Sequence, residues 1–387
     1  MINRSVTRYR NADFFTTNEV LSNDVMQVSS DGRILGYEAD AEYTDGSAVD
    51  LGGLNVIPGL VDLQVNGASG ISVSSAKKLA DIASIDLSLL RQGVTRWCPT
   101  YISPTSEEMR NAAALALDAV GSSLGVIAWH FEGPWINPKR RGAHPADRIR
   151  QLSQMDIYKL VDLAKHTRVI LTLAPELVPF DVVQQLSSNG IRVLAGHSAG
   201  KMDDYLRFFD AGGIGVTHIG NACGLLESRE PFALGALLHR PHNIATLIAD
   251  GSHLDPMSIA IIKRSLAKHQ LIAISDLVAG PTSTEREFNL FSERCTRAED
   301  GTARTTDGRL AGALKGLFQG LQTLVQRCGI PLDEATRMCT NYPSRVLGLS
   351  DTHGTLEHGA VCDMVTFSNH FVIHKVYRDG VLLHESK

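Results

Sequence analysis

The sequence predicts an α/β protein: a (β/α)8 barrel of the TIM type with a small β-sandwich domain formed by both chain termini. Through the middle of the chain, short apolar runs alternate with amphipathic helical patterns, as in a parallel sheet with crossover helices. Both ends show strand-like segments and turns instead. The first predicted strand ends in Gln64-Val-Asn-Gly67 and not in the glycine-rich phosphate loop more usual in a doubly wound sheet, so a closed barrel is favoured.

The middle region contains eight apolar runs of the length and composition of buried parallel strands. These predicted strands are Leu60–Val65, Val94–Cys98, Gly125–Phe131, Val169–Ala174, Ile191–His197, Gly215–His218, Thr246–Asp250 and Leu271–Asp276. Helical periodicity in the segments between them predicts crossover helices. These predicted helices are Ala76–Gln92, Glu107–Val120, Ser153–His166, Phe180–Asn189, Lys201–Ala211 and Pro256–Lys268.

The two terminal segments resemble each other in their strand and turn pattern. Gly32–Gly36 and Gly354–Gly359 are turn-rich, and Asp379-Gly380 is a typical hairpin dipeptide between two short apolar runs. We therefore expect one β-domain from residues 1–56 and 350–387, interrupted by a barrel domain of residues 57–349.

Composition bounds the class of protein. With 387 residues, 43% hydrophobic and 20% charged, the chain has the balance of a globular enzyme. A net charge of -5 and the lack of a basic run argue against nucleic-acid binding. No apolar stretch is long enough to span a membrane, and the N-terminus lacks a signal-peptide core, so a cytoplasmic location is expected. The six cysteines form no CxxC pair and are interpreted as packed, reduced thiols.

Four predicted barrel strands end at or next to a residue suited to metal binding or proton transfer: Glu132, His197, His218 and Asp276. Since the C-terminal strand ends of a barrel face one cavity, these side chains are expected to converge. Two imidazoles and one carboxylate form a typical catalytic metal set, and the metal lowers the pKa of its bound water. Asp276 would act as general base. Each residue alone suits a structural role, but together they predict metal-assisted hydrolysis of an amide or related bond.

Ten short motifs stand out in the chain from about Val56 onward. They are Pro58-Gly-Leu-Val-Asp-Leu-Gln-Val-Asn-Gly67, His130-Phe-Glu-Gly-Pro-Trp135, Lys139-Arg-Arg-Gly-Ala-His144, Ala195-Gly-His-Ser198, Thr217-His-Ile-Gly-Asn-Ala222, Ser228-Arg-Glu-Pro231, Ile248-Ala-Asp-Gly-Ser-His-Leu-Asp255, Gly329-Ile-Pro-Leu-Asp-Glu334, Asn341-Tyr-Pro-Ser-Arg345 and Gly354-Thr-Leu-Glu-His-Gly359. Through these motifs the chain resembles the N-acetylglucosamine-6-phosphate deacetylases of the amidohydrolase superfamily. The resemblance implies the same barrel and terminal β-sandwich, and hydrolysis of N-acetylglucosamine 6-phosphate to glucosamine 6-phosphate and acetate.

The resemblance also implies residue roles. It makes Glu132, His197 and His218 the metal ligands, and Asp276 the catalytic base and acid. The residues that it assigns to substrate binding are His144, Ala143, Asn221, Ala222, Arg229, His253, Gln64, Asn66 and Leu310. In the family, the arginine equivalent to Arg229 reaches the phosphate from the neighbouring subunit, which implies a homodimer. The competing interpretation of Arg229 is a surface ion pair with Glu227 or Glu230.

One divalent metal ion per subunit is expected. Many amidohydrolases hold a second metal with a His-x-His pair after the first strand, where this chain has Gln64-Val-Asn66. Neutral amides are weak ligands compared with imidazole. Zinc is the metal expected first, and iron, manganese and cobalt also suit the ligand set.

Several departures from the family pattern lie near the predicted substrate site. They are Pro145-Ala146 after His144, Ser252 before His253, Leu277-Val-Ala-Gly280 after Asp276, and Ala313 after the Leu-Ala-Gly core. These changes leave open N-acetylgalactosamine 6-phosphate as the substrate, or a different amide altogether. A non-catalytic barrel is disfavoured, since none of the four key residues is replaced.

Overall fold

The computed structural model describes residues 6–40, 47–280, 286–290, 293–299 and 301–386. The sequence prediction that the N-terminus has no signal-peptide core includes residues 1–5. These five residues lie outside the described part of the chain. The chain divides into two compact units, one with Leu63–Ser88 and Trp97–Cys328, the other with residues up to Asp62, Leu89–Arg96 and the chain from Gly329 onward. The domain boundaries assigned from the sequence stay a prediction.

The unit containing the chain ends holds a sheet built from both termini, as predicted. Its strands are β1 (Thr7–Phe15), β2 (Val20–Leu21), β3 (Asp24–Val28), β4 (Ile34–Ala39), β5 (Val49–Pro58), β19 (Met364–Phe367), β20 (Ile373–Arg378) and β21 (Val381–Glu385). Strand β5 pairs with β1 on one side and with β19 on the other, which joins the two ends of the chain. Asp379 and Gly380 connect β20 to β21 with positive φ angles of 53° and 75°, so the predicted hairpin is confirmed.

The barrel sheet contains all eight predicted strands. They are β6 (Leu60–Val65), β9 (Val94–Ile102), β10 (Trp129–Glu132), β11 (Val169–Leu173), β12 (Arg192–Ala195), β13 (Gly215–Val216), β14 (Ile244–Ile248) and β15 (Leu271–Ile274). Neighbours in the sheet follow chain order, and a bridge between Val65 and Leu277 brings the last strand against the first. The predicted barrel is confirmed.

The six predicted crossover helices are present, with ends that shift by a few residues, and four further α-helices accompany them in the described part of the chain. The helices are α1 (Leu79–Leu90), α2 (Ser106–Ala119), α3 (Gln154–Ala164), α4 (Phe180–Ser188), α5 (Met202–Asp210), α6 (Phe232–His239), α7 (Pro256–Ser265), α8 (Leu317–Gln326), α9 (Leu332–Cys339) and α10 (Asn341–Val346). The predicted ones are α1–α5 and α7. Capping boxes at Thr105 and Ser153 fix the starts of α2 and α3. No helix in the described ranges is both long and apolar enough to cross a membrane.

Several elements were not predicted from the sequence. They are helices α6, α8, α9 and α10, the small pair β7 (Gly67–Ala68) and β8 (Ile71–Ser72), and the three-stranded antiparallel sheet of β16 (Glu287–Leu290), β17 (Glu293–Arg297) and β18 (Ala303–Thr305). Strand β10 begins at Trp129 rather than at Gly125, because the preceding residues form only an isolated bridge between Val126 and Trp97.

Candidate active site

A cavity of about 370 Å³ lies where the barrel strands end. Glu132 is the last residue of β10, and His197, His218 and Asp276 each follow the last residue of their strand by two positions. All four residues line the cavity. The structure therefore brings together, at the C-terminal end of the barrel, the four residues that the sequence singled out.

The backbone turns sharply at three of these residues. His197, His218 and Asp276 have φ angles of 48°, 32° and 51°, in the left-handed region that favours glycine. Such strain in non-glycine residues is typical of functional sites, where the surrounding structure holds it in place. It also explains why the strands end earlier than the apolar runs predicted.

Glu132 is the centre of the polar cluster. Its side chain is buried, with 2% of the residue exposed. Oε1 lies 2.7 Å from His218 Nε2 and 3.3 Å from His197 Nε2, and Oε2 lies 3.6 Å from His144 Nε2. Burial alone would raise the pKa of Glu132, but hydrogen bonds with His144, His197 and His218 outweigh burial and hold it well below its ordinary value. The carboxylate is therefore ionised.

The orientation of His197 fits a cation beside Glu132. Its Nδ1 lies 2.9 Å from the backbone carbonyl oxygen of Arg140, which can only accept, so Nδ1 carries the hydrogen. In the neutral ring Nε2 then holds a lone pair facing Oε1 of Glu132 at 3.3 Å. Two lone pairs at this distance repel each other unless a proton or a metal ion lies between them. A backbone carbonyl on the far ring nitrogen is also the usual partner of a metal-binding histidine.

The donor set suits a divalent metal ion. Glu132, His144 and His197 offer ligand atoms that all lie within 4.8 Å of one another. His218 approaches Glu132 more closely still, and its ring centroid is 4.9 Å from that of His197. Imidazole nitrogen and carboxylate oxygen are the ligands of a catalytic zinc site. The structure thus brings the three predicted ligands together and adds His144, which the sequence had assigned to the substrate.

His144 is buried beside the cluster and stays neutral. Its Nδ1 lies 2.7 Å from Ser103 Oγ, and its ring centroid is 4.3 Å from that of His197. Burial, together with His197, lowers the pKa of His144 to about 4. For His218, burial lowers the pKa but the hydrogen bond with Glu132 outweighs it, so the pKa is raised. The same cluster therefore shifts the pKa values of His144 and His218 in opposite directions.

Asp276 lines the same cavity as the imidazoles and is 9% exposed. Its Oδ1 accepts hydrogen bonds from Asn66 Nδ2 at 2.7 Å and from Gln64 Nε2 at 3.0 Å. Burial, and then the negative charge of Glu132, raise the pKa of Asp276 to about 6. A carboxylate with this pKa is suited to exchange protons near neutral pH.

Most of the residues predicted for the substrate line the cavity. Those that do are Asn66, Ala143, His144, Asn221, Ala222, His253 and Leu310. Gln64 is not among the cavity-lining residues and contacts Asp276 instead. Arg229 lies on an exposed loop outside the cavity lining. Within the described ranges it forms no ion pair with Glu227 or Glu230, so the competing interpretation of Arg229 finds no support.

The side chains of His253 and Asn221, which both line the cavity, are suited to bind a polar ligand. His253 is held by Asp250, whose Oδ2 lies 2.9 Å from its Nδ1, and Asp250 Oδ1 accepts from the backbone N–H of His253. Asn221 Nδ2 is buried and forms no hydrogen bond with any group in the described part of the chain. A buried unpaired donor is rare in a protein and marks a place for a ligand oxygen or water.

The sequence did not identify three cations that line the cavity: Lys139, Arg140 and Arg309. Lys139 and Arg140 are exposed, and Arg309 donates through Nη1 to the carbonyl oxygen of Gly142. Lys139 and Arg140 belong to the motif Lys139–His144, but nothing in the sequence shows that their side chains face the cavity. Arg309 reaches it from the loop after the unpredicted three-stranded sheet.

Comparison with known proteins agrees with this geometry. The model of the amidohydrolase family matches residues 55–383, so the chain belongs to the amidohydrolase family. It is 28% identical to the N-acetylglucosamine-6-phosphate deacetylase of Vibrio furnissii, over 94% of this chain and 91% of that protein. It is also 28% identical to the N-acetylgalactosamine-6-phosphate deacetylase of Escherichia coli O157:H7, over 84% of this chain and 86% of that protein.

Solved structures of N-acetylglucosamine-6-phosphate deacetylases are also similar to this chain. The chain is similar to N-acetylglucosamine-6-phosphate deacetylase from Pasteurella multocida, with a TM-score of 0.93, 26% identity, and 98% of this chain and 100% of that chain covered. It is similar to a Mycobacterium smegmatis N-acetyl-D-glucosamine-6-phosphate deacetylase mutant in complex with N-acetyl-D-glucosamine-6-phosphate, with a TM-score of 0.90 and 26% identity. That match covers 98% of this chain and 99% of the other.

The predicted ligand role of His197 is tested by His197→Ala. We expect the variant to bind zinc at least about 100-fold more weakly, because even outer partners of metal ligands contribute 10- to 100-fold. Metal content after dialysis, measured by plasma mass spectrometry, checks this. The exposed His239 gives the matched control His239→Ala, which should keep its metal. Equal metal content in the two variants would remove His197 from the ligand set.

Proposed function

We propose that this chain hydrolyses the acetamide of N-acetylglucosamine 6-phosphate, giving glucosamine 6-phosphate and acetate. The observation that carries the proposal is the buried Glu132, surrounded by imidazoles, with Asp276 on the same cavity. The deacetylases similar to this chain along most of its length support the choice of substrate. A divalent metal ion held by Glu132, His197 and His218, with zinc expected first, would polarise the amide carbonyl and acidify water.

Asp276 moves the proton in this reaction. It takes a proton from the water whose oxygen attacks the carbonyl carbon, and the amide is converted to a tetrahedral species. Asp276 then returns the proton to the nitrogen as the C–N bond breaks, which releases acetate and a free amine. A carboxylate with a pKa of about 6 is strong enough as an acid for the second step and as a base for the first.

Neutral His144 contributes to substrate positioning. Because burial lowers its pKa to about 4, the ring is uncharged at neutral pH. It lines the cavity next to His197 and Glu132, where the carbonyl of the substrate must lie to be attacked. In this position His144 orients the carbonyl without adding a second positive charge to the cluster.

The cavity also suits a phosphorylated sugar. A volume of about 370 Å³ is in the range of small-molecule sites. Lys139 and Arg140 add positive charge to the lining, which favours an anionic substrate, whereas Arg309 is paired with Asp307 and Glu293. Asn221 and His253 supply further polar groups. We infer that Arg229 completes the phosphate site of a neighbouring copy in a homodimer, since it is exposed and does not reach the cavity of its own chain.

N-acetylgalactosamine 6-phosphate is the second candidate substrate. The E. coli O157:H7 and Shewanella deacetylases named for this sugar are both 28% identical to the chain, the same value as the V. furnissii enzyme named for the gluco isomer. The two sugars differ in the orientation of one hydroxyl. A different amide remains the third candidate because of the departures after His144 and Asp276.

Acetate release by the zinc-loaded protein tests the proposal. The substrates are N-acetylglucosamine 6-phosphate, its galacto isomer and unphosphorylated N-acetylglucosamine. We expect one phosphorylated sugar to be hydrolysed with the highest kcat/KM, and the unphosphorylated sugar to be hydrolysed far more slowly. Turnover of only the galacto isomer would select the second candidate. No acetate from any of the three, with metal bound, would contradict both and leave a different amide.

Asp276→Asn tests the proton-transfer role. Because an amide cannot accept the proton, we expect kcat to fall by about 10²- to 10⁴-fold, the usual contribution of general acid–base catalysis, while metal content is unchanged. In the wild type, kcat should fall as the pH drops below about 6, or lower where the cation further favours ionised Asp276, since protonated Asp276 cannot act as a base. The variant should lose this acidic limb. Near-normal turnover would exclude Asp276 as the base.

Arg229→Ala tests the phosphate contact. We expect KM for the phosphorylated substrate to rise by about 10- to 100-fold, the value of one or two hydrogen bonds to a charged group, and KM for the unphosphorylated sugar to change little. The matched control is Arg91→Ala, which removes an exposed guanidinium outside the cavity lining. Equal effects of Arg229→Ala on both substrates would remove Arg229 from the phosphate site.

A further inference from the structure

The carboxylate of Asp276 is held on one side only. Gln64 and Asn66 both donate their amide N–H groups to Oδ1, at 3.0 Å and 2.7 Å. Neither amide is near bulk solvent, since Gln64 is 1% and Asn66 2% exposed. No hydrogen bond from the described residues reaches Oδ2. The two oxygens of one carboxylate are therefore in different environments.

We propose that Gln64 and Asn66 are positioning residues that fix the plane of the Asp276 carboxylate, so that Oδ2 alone performs both proton transfers. This inference rests on the proposed function. It assigns the two amides to Asp276, in place of the substrate contact that the family resemblance implied for them. Asn66 also lines the cavity, whereas Gln64 acts on Asp276 from outside the cavity lining.

The closed barrel makes this arrangement rigid. Gln64 is on the first barrel strand and Asp276 follows the last, and the bridge between Val65 and Leu277 places the two segments side by side. The backbone reinforces the contact, because Asp276 N donates to Gln64 O at 3.0 Å and Asn66 N donates to Leu277 O at 2.8 Å. The amides therefore approach Asp276 from a backbone that is itself paired with the backbone of Asp276.

Two donors on one oxygen have a defined physical effect. Hydrogen bonds to a charged acceptor are about twice as strong as neutral ones, so rotation of the carboxylate about its last torsion would break two strong contacts. Terminal torsions of aspartate are otherwise broad, and a free carboxylate would present either oxygen to the substrate. Fixing Oδ2 removes this freedom before the reaction, which is how positioning accelerates a chemical step.

Gln64→Leu and Asn66→Leu test the inference in the zinc-loaded enzyme, since leucine is close in size and has no N–H. We expect each change to lower kcat by about 10- to 100-fold with KM within about twofold and metal content unchanged. The acidic limb of the kcat profile should move to higher pH, because lost donors favour protonated Asp276. A crystal structure of each variant should show the Asp276 carboxylate rotated or in two orientations.

Thr172→Val is the matched control. Thr172 is a fully buried barrel residue whose hydroxyl hydrogen-bonds with His130 and Thr217, but not with Asp276. We expect this variant to unfold at a lower temperature and to keep the kcat profile of the wild type. A purely structural role of Gln64 and Asn66 would give the same pattern in their leucine variants, and that result would overturn the inference.

Two further points keep the test decisive. If the leucine variants do not fold, Gln64→Met and Asn66→Ser provide the same measurement, since neither new side chain reaches Asp276 with an N–H. If the wild type releases no acetate, the proposed function fails, but the crystal structures still report on the carboxylate. An Asp276 plane identical in the wild type and in both variants would contradict the inference by itself.

Discussion

Closure of the parallel sheet is the constraint on which the site depends. The bridge between Val65 and Leu277 brings the last strand of the barrel against the first, so that all strands end around one small volume. Glu132, His197 and His218 arrive there from strands far apart in sequence. Asp276 meets the amides of the first strand for the same reason. An open sheet of the same strands would place its first and last members at opposite edges, and the site would not exist.

Within this volume, the electrostatics are organised by one buried carboxylate. Glu132 is shared among several imidazoles, and its negative charge also raises the pKa of Asp276 on the same cavity. The negative charge of Glu132 therefore favours a cation among the imidazoles and a proton on Asp276. The amides of Gln64 and Asn66 face Asp276 with N–H groups. Donor hydrogens on Oδ1 occupy the lone pairs that a second cation would use, which agrees with the expectation of one metal ion.

The features that were predicted from the sequence are those set by local residue patterns, such as the bounds of strands. Strand β6 has the predicted bounds, because its apolar run is bounded by glycine on one side and polar residues on the other. The convergence of polar strand ends followed from the barrel. Helix α6 was not predicted, because Phe232–His239 is apolar on most sides and has no clear period. The approach of His144 to Glu132, and of Gln64 and Asn66 to Asp276, depends on loop geometry and barrel closure, which no local pattern encodes.

The left-handed backbone at His197, His218 and Asp276 has a consequence for how the protein can vary. Each of these residues adopts a conformation that glycine reaches at no steric cost and that other residues reach at about 1 kcal/mol or more. For the backbone conformation alone, glycine is the favoured residue at all three positions. Backbone conformation and chemistry therefore make opposite demands at these positions, because glycine would relieve the strain but would also remove the side chain that lines the cavity. The three side chains of the site are thus held at a cost in backbone free energy that the rest of the fold must offset.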